Sequence, residues 1–561
     1  MIVYIPKKAS IRYTVEKIFA FSCTFLLGIC LVSAQKTEQH LSSEGRQINI
    51  DLSHVRGDFD KFYNESVGAG RAYSLMRADH QQHIAMAAKE CGFKYLRFHG
   101  LYQDDMGVYR LNKYGEPFYS WQYVDAVYDF ILGIGMRPIL VFDFMPEALA
   151  SGTKTIYWEK ANITPPKDYG RWYGLVKATV EHFTQRYGLE EVRQWLFEVW
   201  NEPDGYFFTG DLNEYLKLYD YTARAVKSVS ADYRVGGPAI AGDTDWITAL
   251  VDHCHQKNVP LDYISSHAYS TREFYPDSVY NKLPDADYMK RVPVWSPGTP
   301  WAMGNVAYNP DGVMDGVKSS LEKVSTSPMP YLEVYFTEWG LTWDYWDPLR
   351  DAYQAASYLL TKIKEVDGQV KSLSYCEVSD VFEEDGPPTG DFHGGFGLIN
   401  LQGIPKPAYF AYKYLNRLGD TELICADPKA IACKTGDAVQ ILFWNDAHRQ
   451  DDVDKIYYAK DIPPLSAGKV AVFVSGLKPG KYRVNVHSVG YRQNDAFTAY
   501  LGLNYDGSIS REQVAWLQEQ SNDKPLRSEE IIIKQSDKPF EFKTDMREND
   551  VFLILMEYVG T

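Results

Sequence analysis

Phe197-Glu198-Val199-Trp200-Asn201-Glu202-Pro203 and Tyr335-Phe336-Thr337-Glu338-Trp339-Gly340 are two apolar, strand-like runs. Each breaks off in a carboxylate flanked by aromatic residues. A parallel barrel presents acids in this way, at the open C-terminal ends of its strands. Asn-Glu-Pro alone recurs by chance. The pair, with 136 positions between Glu202 and Glu338, is far more specific.

Working outward, short β-like runs alternate with amphipathic helical stretches from about 66 to 379. The strand runs are 67–73, 95–99, 138–144, 194–200, 234–240, 263–268, 334–338 and 372–377. Helical periods occupy 79–91, 120–134, 169–187, 212–229, 246–257 and 353–366. Eight strands with intervening helices predict an α/β fold, a (β/α)8 TIM barrel. A doubly wound sheet is the alternative. It would carry a Gly-rich phosphate turn after an early strand, and none is present. Glu202 then follows the fourth strand and Glu338 ends the seventh. Those strands stand on opposite sides of an eight-strand ring, so the two acids can face each other.

Two insertions, 274–312 and 382–397, fall at the strand ends and are expected to shape a site. Beyond Pro407 the pattern changes. The runs 439–444, 469–474, 482–486 and 551–555, separated by Gly, Pro and Asp turns, predict an all-β sandwich. Residues 47–52 are a candidate extra strand for it. The expected organisation is a signal peptide at 1–34, an N-terminal segment at 35–65, a catalytic barrel at 66–410 and a β-sandwich at 411–561.

The signal-peptide reading rests on Lys7, Lys8, Arg12 and Lys17, an apolar run from Ile18 to Ala34, and Val32-Ser33-Ala34 before Gln35. An uncleaved anchor is the rival, and Leu27-Gly28-Ile29-Cys30 loosely resembles a lipoprotein signal. Cleavage predicts a secreted or periplasmic protein with no stable membrane insertion. The chain carries a net charge of −16, and the first 34 residues contribute +3, leaving −19 for the rest. So acidic a body lacks the cationic field that nucleic acid requires. Aromatic residues are abundant at 15%, which suits stacking on sugar faces and also barrel cores. Five cysteines follow the leader, at 91, 254, 376, 425 and 433. Their spacing is that of neither a disulfide framework nor a zinc site. Cys425 and Cys433 could pair locally, with buried thiols as the alternative. His253-Cys254-His255 is discounted as a metal cluster, because adjacent helical residues point in different directions. No metal and no organic cofactor is implied.

Two opposed acids are the equipment of glycoside hydrolysis, whose oxocarbenium-like transition state needs a proton on the leaving oxygen and an anion at the anomeric carbon. Glu202 lies beside Trp200, whose aromatic wall disfavours its charge, so it is read as the general acid/base. Glu338, among polar neighbours, is read as the nucleophile. Arg97 and His99 end the second strand, and His267 and Tyr269 the sixth. A Tyr beside the nucleophile could tune its charge through a hydrogen bond, Asn201 could donate to a sugar hydroxyl, and Asp143 could support the third strand end.

On these segments the chain resembles glycoside hydrolase family 39 over roughly 65–415. The resemblance rests on Arg97-Phe98-His99-Gly100, Phe144-Met145-Pro146, both acid-bearing segments, Asp262 to His267, Ser379 to Glu384, Phe396-Gly397-Leu398 and Gly403 to Ala408. It implies a retaining enzyme with a barrel and a β-sandwich, Glu202 as acid/base and Glu338 as nucleophile. It also implies sugar contacts at His99, Asn201, His267, Tyr269, Glu383 and Glu384. Iduronidase-like members carry a Lys where this chain has Tyr269, which disfavours a uronic acid substrate. Where xylosidase-like members have an aromatic pair, this chain has Tyr375-Cys376, so one stacking Trp is missing and the terminal sugar stays open. The expected function is a β-xylosidase-like exo-glycosidase acting on an oligosaccharide. β-Galactosidase or β-glucosidase activity is the alternative within the family, and a non-catalytic carbohydrate-binding protein the alternative outside it.

Overall fold

The structure, a computed structural model, describes residues 45–274, 306–344, 347–384, 386–388, 390–447, 455–503, 509–534 and 538–560. The stretch 1–34 read as a signal peptide and most of the first insertion lie outside the described residues.

Eight parallel strands close into a barrel: β1 (Ser66–Arg71), β2 (Tyr95–His99), β3 (Arg137–Val141), β4 (Leu196–Glu198), β5 (Arg234–Ile240), β6 (Tyr263–Tyr269), β7 (Glu333–Gly340) and β8 (Ser372–Tyr375). The helices that cover it are α1 (Ala78–Cys91), α2 (Gln122–Gly133), α3 (Tyr169–Tyr187), α4 (Leu212–Val229), α5 (Asp245–Lys257), α6 (Gly312–Ser325), α7 (Gln354–Val366) and α8 (Pro407–Asn416). α3 shows why they form and dock. Trp172, Leu175, Val176, Thr179, Val180 and Phe183 recur at helical spacing and are all buried, and the Asp168 carboxylate caps the first turn by accepting from the Arg171 N–H. α8 is more deeply buried: Ala408, Tyr409, Phe410, Ala411, Tyr412, Tyr414 and Leu415 are covered, and only Lys413 and Asn416 near its C-terminal end are partly exposed. Its polar face is confined to these last positions, too short a stretch to mark the helix in the sequence.

The barrel interior is filled in layers. Ile139, Leu196, Tyr263 and Tyr335, one each from β3, β4, β6 and β7, form an apolar plug. The buried Arg97–Glu198 pair joins β2 to β4 and links onward to the acids at the strand ends. An apolar floor under fixed polar groups gives those acids a rigid base.

The strand ending in Glu198 is shorter than the apolar run around it. Trp200 and Glu202 have φ of 67° and 44°, so the chain turns off the sheet at once. That left-handed backbone is costly for non-glycine residues and persists only where packing over-determines it. Here Tyr215 donates to the Val199 carbonyl at 3.1 Å, the Trp200 indole donates to the Phe207 carbonyl at 2.8 Å, and the Glu202 N–H donates to the Ala239 carbonyl at 2.9 Å.

Outside the barrel, a seven-stranded sheet and a three-stranded sheet enclose one apolar core that includes Ile48, Ile441, Val472, Val484, Phe542 and Ile554. The N-terminal segment supplies two strands. Arg46–Asp51 runs parallel to Ser466–Ser475 in the smaller sheet, and Val55–Asp58 pairs with Thr421–Leu423 in the larger. The sheets dock on the barrel through α7 and α8: the Trp444 indole donates to Thr361 at 2.9 Å, and Lys413 reaches Asp523 at 3.1 Å. Cys425 and Cys433 are free thiols. Among the described residues, no helix is long and apolar enough to cross a membrane.

Candidate active site

A cavity of about 760 Å³ opens at the C-terminal ends of the strands. Glu202, Glu338, Asn201, His99, Tyr269 and Glu384 line it together with Trp158, Phe207, Trp343, Phe382 and Phe396. The lining is aromatic with a few convergent polar groups, the usual make-up of a site that orients a small ligand. The two glutamates of the opening sequence segments therefore meet in one pocket.

Their surroundings differ. Glu202 has its carboxyl pushed above the usual range by burial, which a hydrogen bond and the charge of His267 only partly oppose. Burial would raise Glu338 as well, but the charges of His267 and Arg97 and the Tyr269 hydroxyl overcome it and hold it at about 2. Tyr269 donates to Glu338 Oε2 at 2.7 Å, and Arg97 Nη1 donates to Oε1 at 2.5 Å. One acid is thus poised protonated and the other anionic, the division of labour that acid-base pairs exploit.

Arg97 spends its whole fork here. Nε donates to Glu198 at 2.7 Å, Nη1 to Glu338, and Nη2 to the Asn201 side-chain oxygen at 2.8 Å. With that oxygen taken, the Asn201 amide N–H groups are what it offers the cavity. His99 is kept neutral by burial, meets Glu384 Oε1 through Nε2 at 2.8 Å, and stacks against Tyr157 at 6.0 Å.

Two candidate sugar contacts are placed differently from expectation. The His267 side chain is 0% exposed and stands behind the acids, its Nδ1 2.7 Å from Glu202 Oε1 and 3.6 Å from Glu338 Oε2. It touches the carboxylates rather than the cavity. Glu383 turns away to an ion pair with Arg77 at 2.6 Å, because successive residues of the loop point to opposite sides and its neighbour Glu384 takes the inward position. Asp143 is fully buried and accepts from the Gly100 N–H at 2.6 Å, bracing the turn after β2.

The second insertion is anchored by Lys406, wholly buried with its Nζ 2.6 Å from both Asp351 and Asp380 and donating to the Gly395 carbonyl at 3.0 Å. This knot holds the loop that carries Phe382, Glu384 and Phe396 over the mouth. Residues that sequence reasoning missed include Trp158, Trp343 and Glu377. Glu377 left a signal, since it follows the apolar β8 run as the two recognised acids follow theirs.

Glu202, His267 and Glu338 each offer a donor atom within 4.8 Å of the others, so their geometry is also that of a possible metal site. The chemistry of the set argues otherwise. Burial would lower His267, but the charges of Glu338 and Glu202 and the hydrogen bond to Glu202 raise it. With Arg97 also on Glu338, positive charge already fills the place a cation would take.

A (β/α)8 barrel that holds one neutral and one anionic carboxyl face to face in an aromatic pocket defines a glycoside hydrolase. Sequence comparison agrees: the glycosyl hydrolases family 39 profile matches residues 46–292 and 305–478. The chain belongs to that family. It is 39% identical over 400 residues to a β-xylosidase of Geobacillus stearothermophilus, covering 70% of this chain and 75% of the relative. A β-xylosidase of Caldicellulosiruptor saccharolyticus is 40% identical over 375 residues, covering 66% and 72%. The crystal structure of a monomeric β-xylosidase from Caulobacter crescentus CB15 superposes with a TM-score of 0.84 at 35% identity, covering 92% of this chain and 100% of that one.

Proposed function

We propose that the protein is a retaining exo-β-xylosidase working by double displacement, with Glu338 as nucleophile and Glu202 as general acid/base. The observation that carries this reading is the approach of the two acids. One oxygen of each lies within 4.8 Å of the other. Retaining enzymes hold the pair about 5–5.5 Å apart, whereas inverting ones need about 6.5–9.5 Å to admit a water. The β-xylosidase relatives support the choice of sugar, and the basic, apolar leader supports export.

In the first step Glu338 attacks the anomeric carbon while Glu202 gives its proton to the leaving oxygen. The bond to that oxygen breaks and a glycosyl ester on Glu338 forms. Negative charge thereby moves from Glu338 to Glu202. His267 lies beside both carboxylates, so the charge stays within reach of the same cation throughout. In the second step Glu202 takes a proton from water, whose oxygen attacks the anomeric carbon and releases Glu338.

The test uses aryl β-xylosides. Glu338→Gln should abolish turnover. Glu202→Ala should stall at the ester on activated substrates and recover with azide, releasing a β-xylosyl azide visible by NMR. Turnover unaffected by either change, or an α-configured azide product, overturns the mechanism. Hydrolysis of other aryl glycosides in preference to the xyloside overturns the sugar and leaves the mechanism standing.

A further inference from the structure

The proposed mechanism leaves two carboxyls of the cavity unused, Glu384, which pairs with His99, and Glu377. Glu377 follows β8, is 4% exposed, and lines the same pocket as Glu338. A buried carboxyl in a ligand cavity with no cationic partner among its contacts calls for a physical reason.

Its seat is built by the opposite edge of the barrel seam. Oε2 accepts from the Gly70 N–H, and Oε1 accepts from the Cys376 thiol at 3.1 Å. The carboxyl packs against Gly68, where an added Cβ would stand 2.9 Å from Oε1. These contacts fix the group without using up its hydrogen-bonding capacity: each oxygen retains a lone pair, and the protonated form has an O–H to give. β8 adjoins β7, which carries the nucleophile, and lies across the barrel from β4, which leads to the acid/base. Glu377 therefore stands on the nucleophile's side of the pocket.

We propose that Glu377 hydrogen-bonds one ring hydroxyl of the terminal sugar and is a specificity-determining residue of this enzyme. The inference rests on the glycosidase reading above and adds a contact to it. Its electrostatics agree. Burial, with the charges of Glu338 and Glu384, holds the carboxyl up at about 8, so near neutral pH it is a donor that adds no second negative charge beside the nucleophile. A neutral acid in that position can give a directed hydrogen bond to a hydroxyl without opposing the anion the reaction needs.

The experiment compares wild type with Glu377→Ala and the near-isosteric Glu377→Gln on an aryl β-xyloside and its 2-, 3- and 4-deoxy analogues. Glu377→Ala should lower kcat/KM on the parent glycoside about ten- to hundredfold, the worth of a buried hydrogen bond whose partner is left unpaired. On the one analogue that lacks the contacted hydroxyl, wild type and variant should agree within about twofold, the limit of independent effects. Glu377→Gln, which keeps a donor, should lose less on the parent and show the same convergence; it carries the test if the alanine variant does not fold. An equal penalty on all four substrates, or none on any, overturns the proposal, since a residue acting only through the scaffold or through Cys376 cannot distinguish one hydroxyl. If wild type does not cleave aryl β-xylosides, the sugar assignment falls instead, and the deoxy series is made from the glycoside that is cleaved.

Discussion

His267 Nδ1 lies 2.7 Å from Glu202 Oε1, within hydrogen-bond distance, and the same atom is 3.6 Å from Glu338 Oε2. One buried histidine therefore stands beside both acids, and its contribution is electrostatic rather than a contact with substrate. His267→Gln should lower kcat/KM about ten- to hundredfold, the range for a lost charge-assisted hydrogen bond. The sign of the pH shift follows from the causes. His267 depresses both carboxyls, so without it both titrate higher. The acid limb of kcat/KM, set by ionisation of Glu338, and the alkaline limb, set by loss of the Glu202 proton, should both move to higher pH. A fall in rate with an unmoved profile would assign His267 a packing role only.

Arg97 offers a second test. Its fork satisfies Glu198, Glu338 and Asn201 at once, a geometry that lysine's single ammonium does not reproduce. Arg97→Met should cost about 3–5 kcal/mol of stability, because the buried Glu198 loses its cationic partner and keeps only the Thr337 hydroxyl. Urea unfolding measures this. Arg97→Lys should fold better than Arg97→Met and still lose turnover, with the acid limb raised because Glu338 has lost a close cation.

Lys406 holds the mouth loop rather than the substrate. Lys406→Met removes the cation between Asp351 and Asp380, and a stability loss of about 3–5 kcal/mol is expected at neutral pH. The deficit should shrink on acidification. Unpaired buried aspartates titrate above their unfolded values, so lowering the pH neutralises them first in the folded state and favours it. A deficit constant from neutral to mildly acid pH would contradict the ion-triad account.

Metal chelation tests the remaining use of the Glu202, His267 and Glu338 cluster. Since Arg97 and His267 already balance the charge, excess EDTA should leave hydrolysis unchanged, and added divalent ions should not increase it. Loss of activity on chelation with recovery on one metal would overturn the charge argument.

Glu202 and Glu338 were legible because each ends an apolar run, and a parallel barrel exposes whatever follows its strands. Asn201 was legible as the neighbour of Glu202, and Tyr269 as the end of the sixth strand run. The same rule applied to β8 would have marked Glu377. By contrast, nothing local distinguishes Glu383 from Glu384. Which one enters the cavity depends on Arg77, more than 300 positions earlier, drawing the first outward. His267 was recognised as a site residue, but whether it faces sugar or carboxylate is a matter of depth in the barrel. α8 was missed because its polar positions are confined to its C-terminal end.

The chain's own order of residues determined the barrel, the family and the identity of the paired acids, because strand and helix periods and strand-end carboxylates are properties of neighbours along the backbone. Neighbours in the chain suggested which acid is neutral and which is charged, but only the folded ring supplies the groups that set those states. Those states come from Arg97, His267, Tyr269 and the depth of burial, groups brought within a few ångströms of each other from strands far apart in sequence. A carboxyl's charge depends on what surrounds it in space.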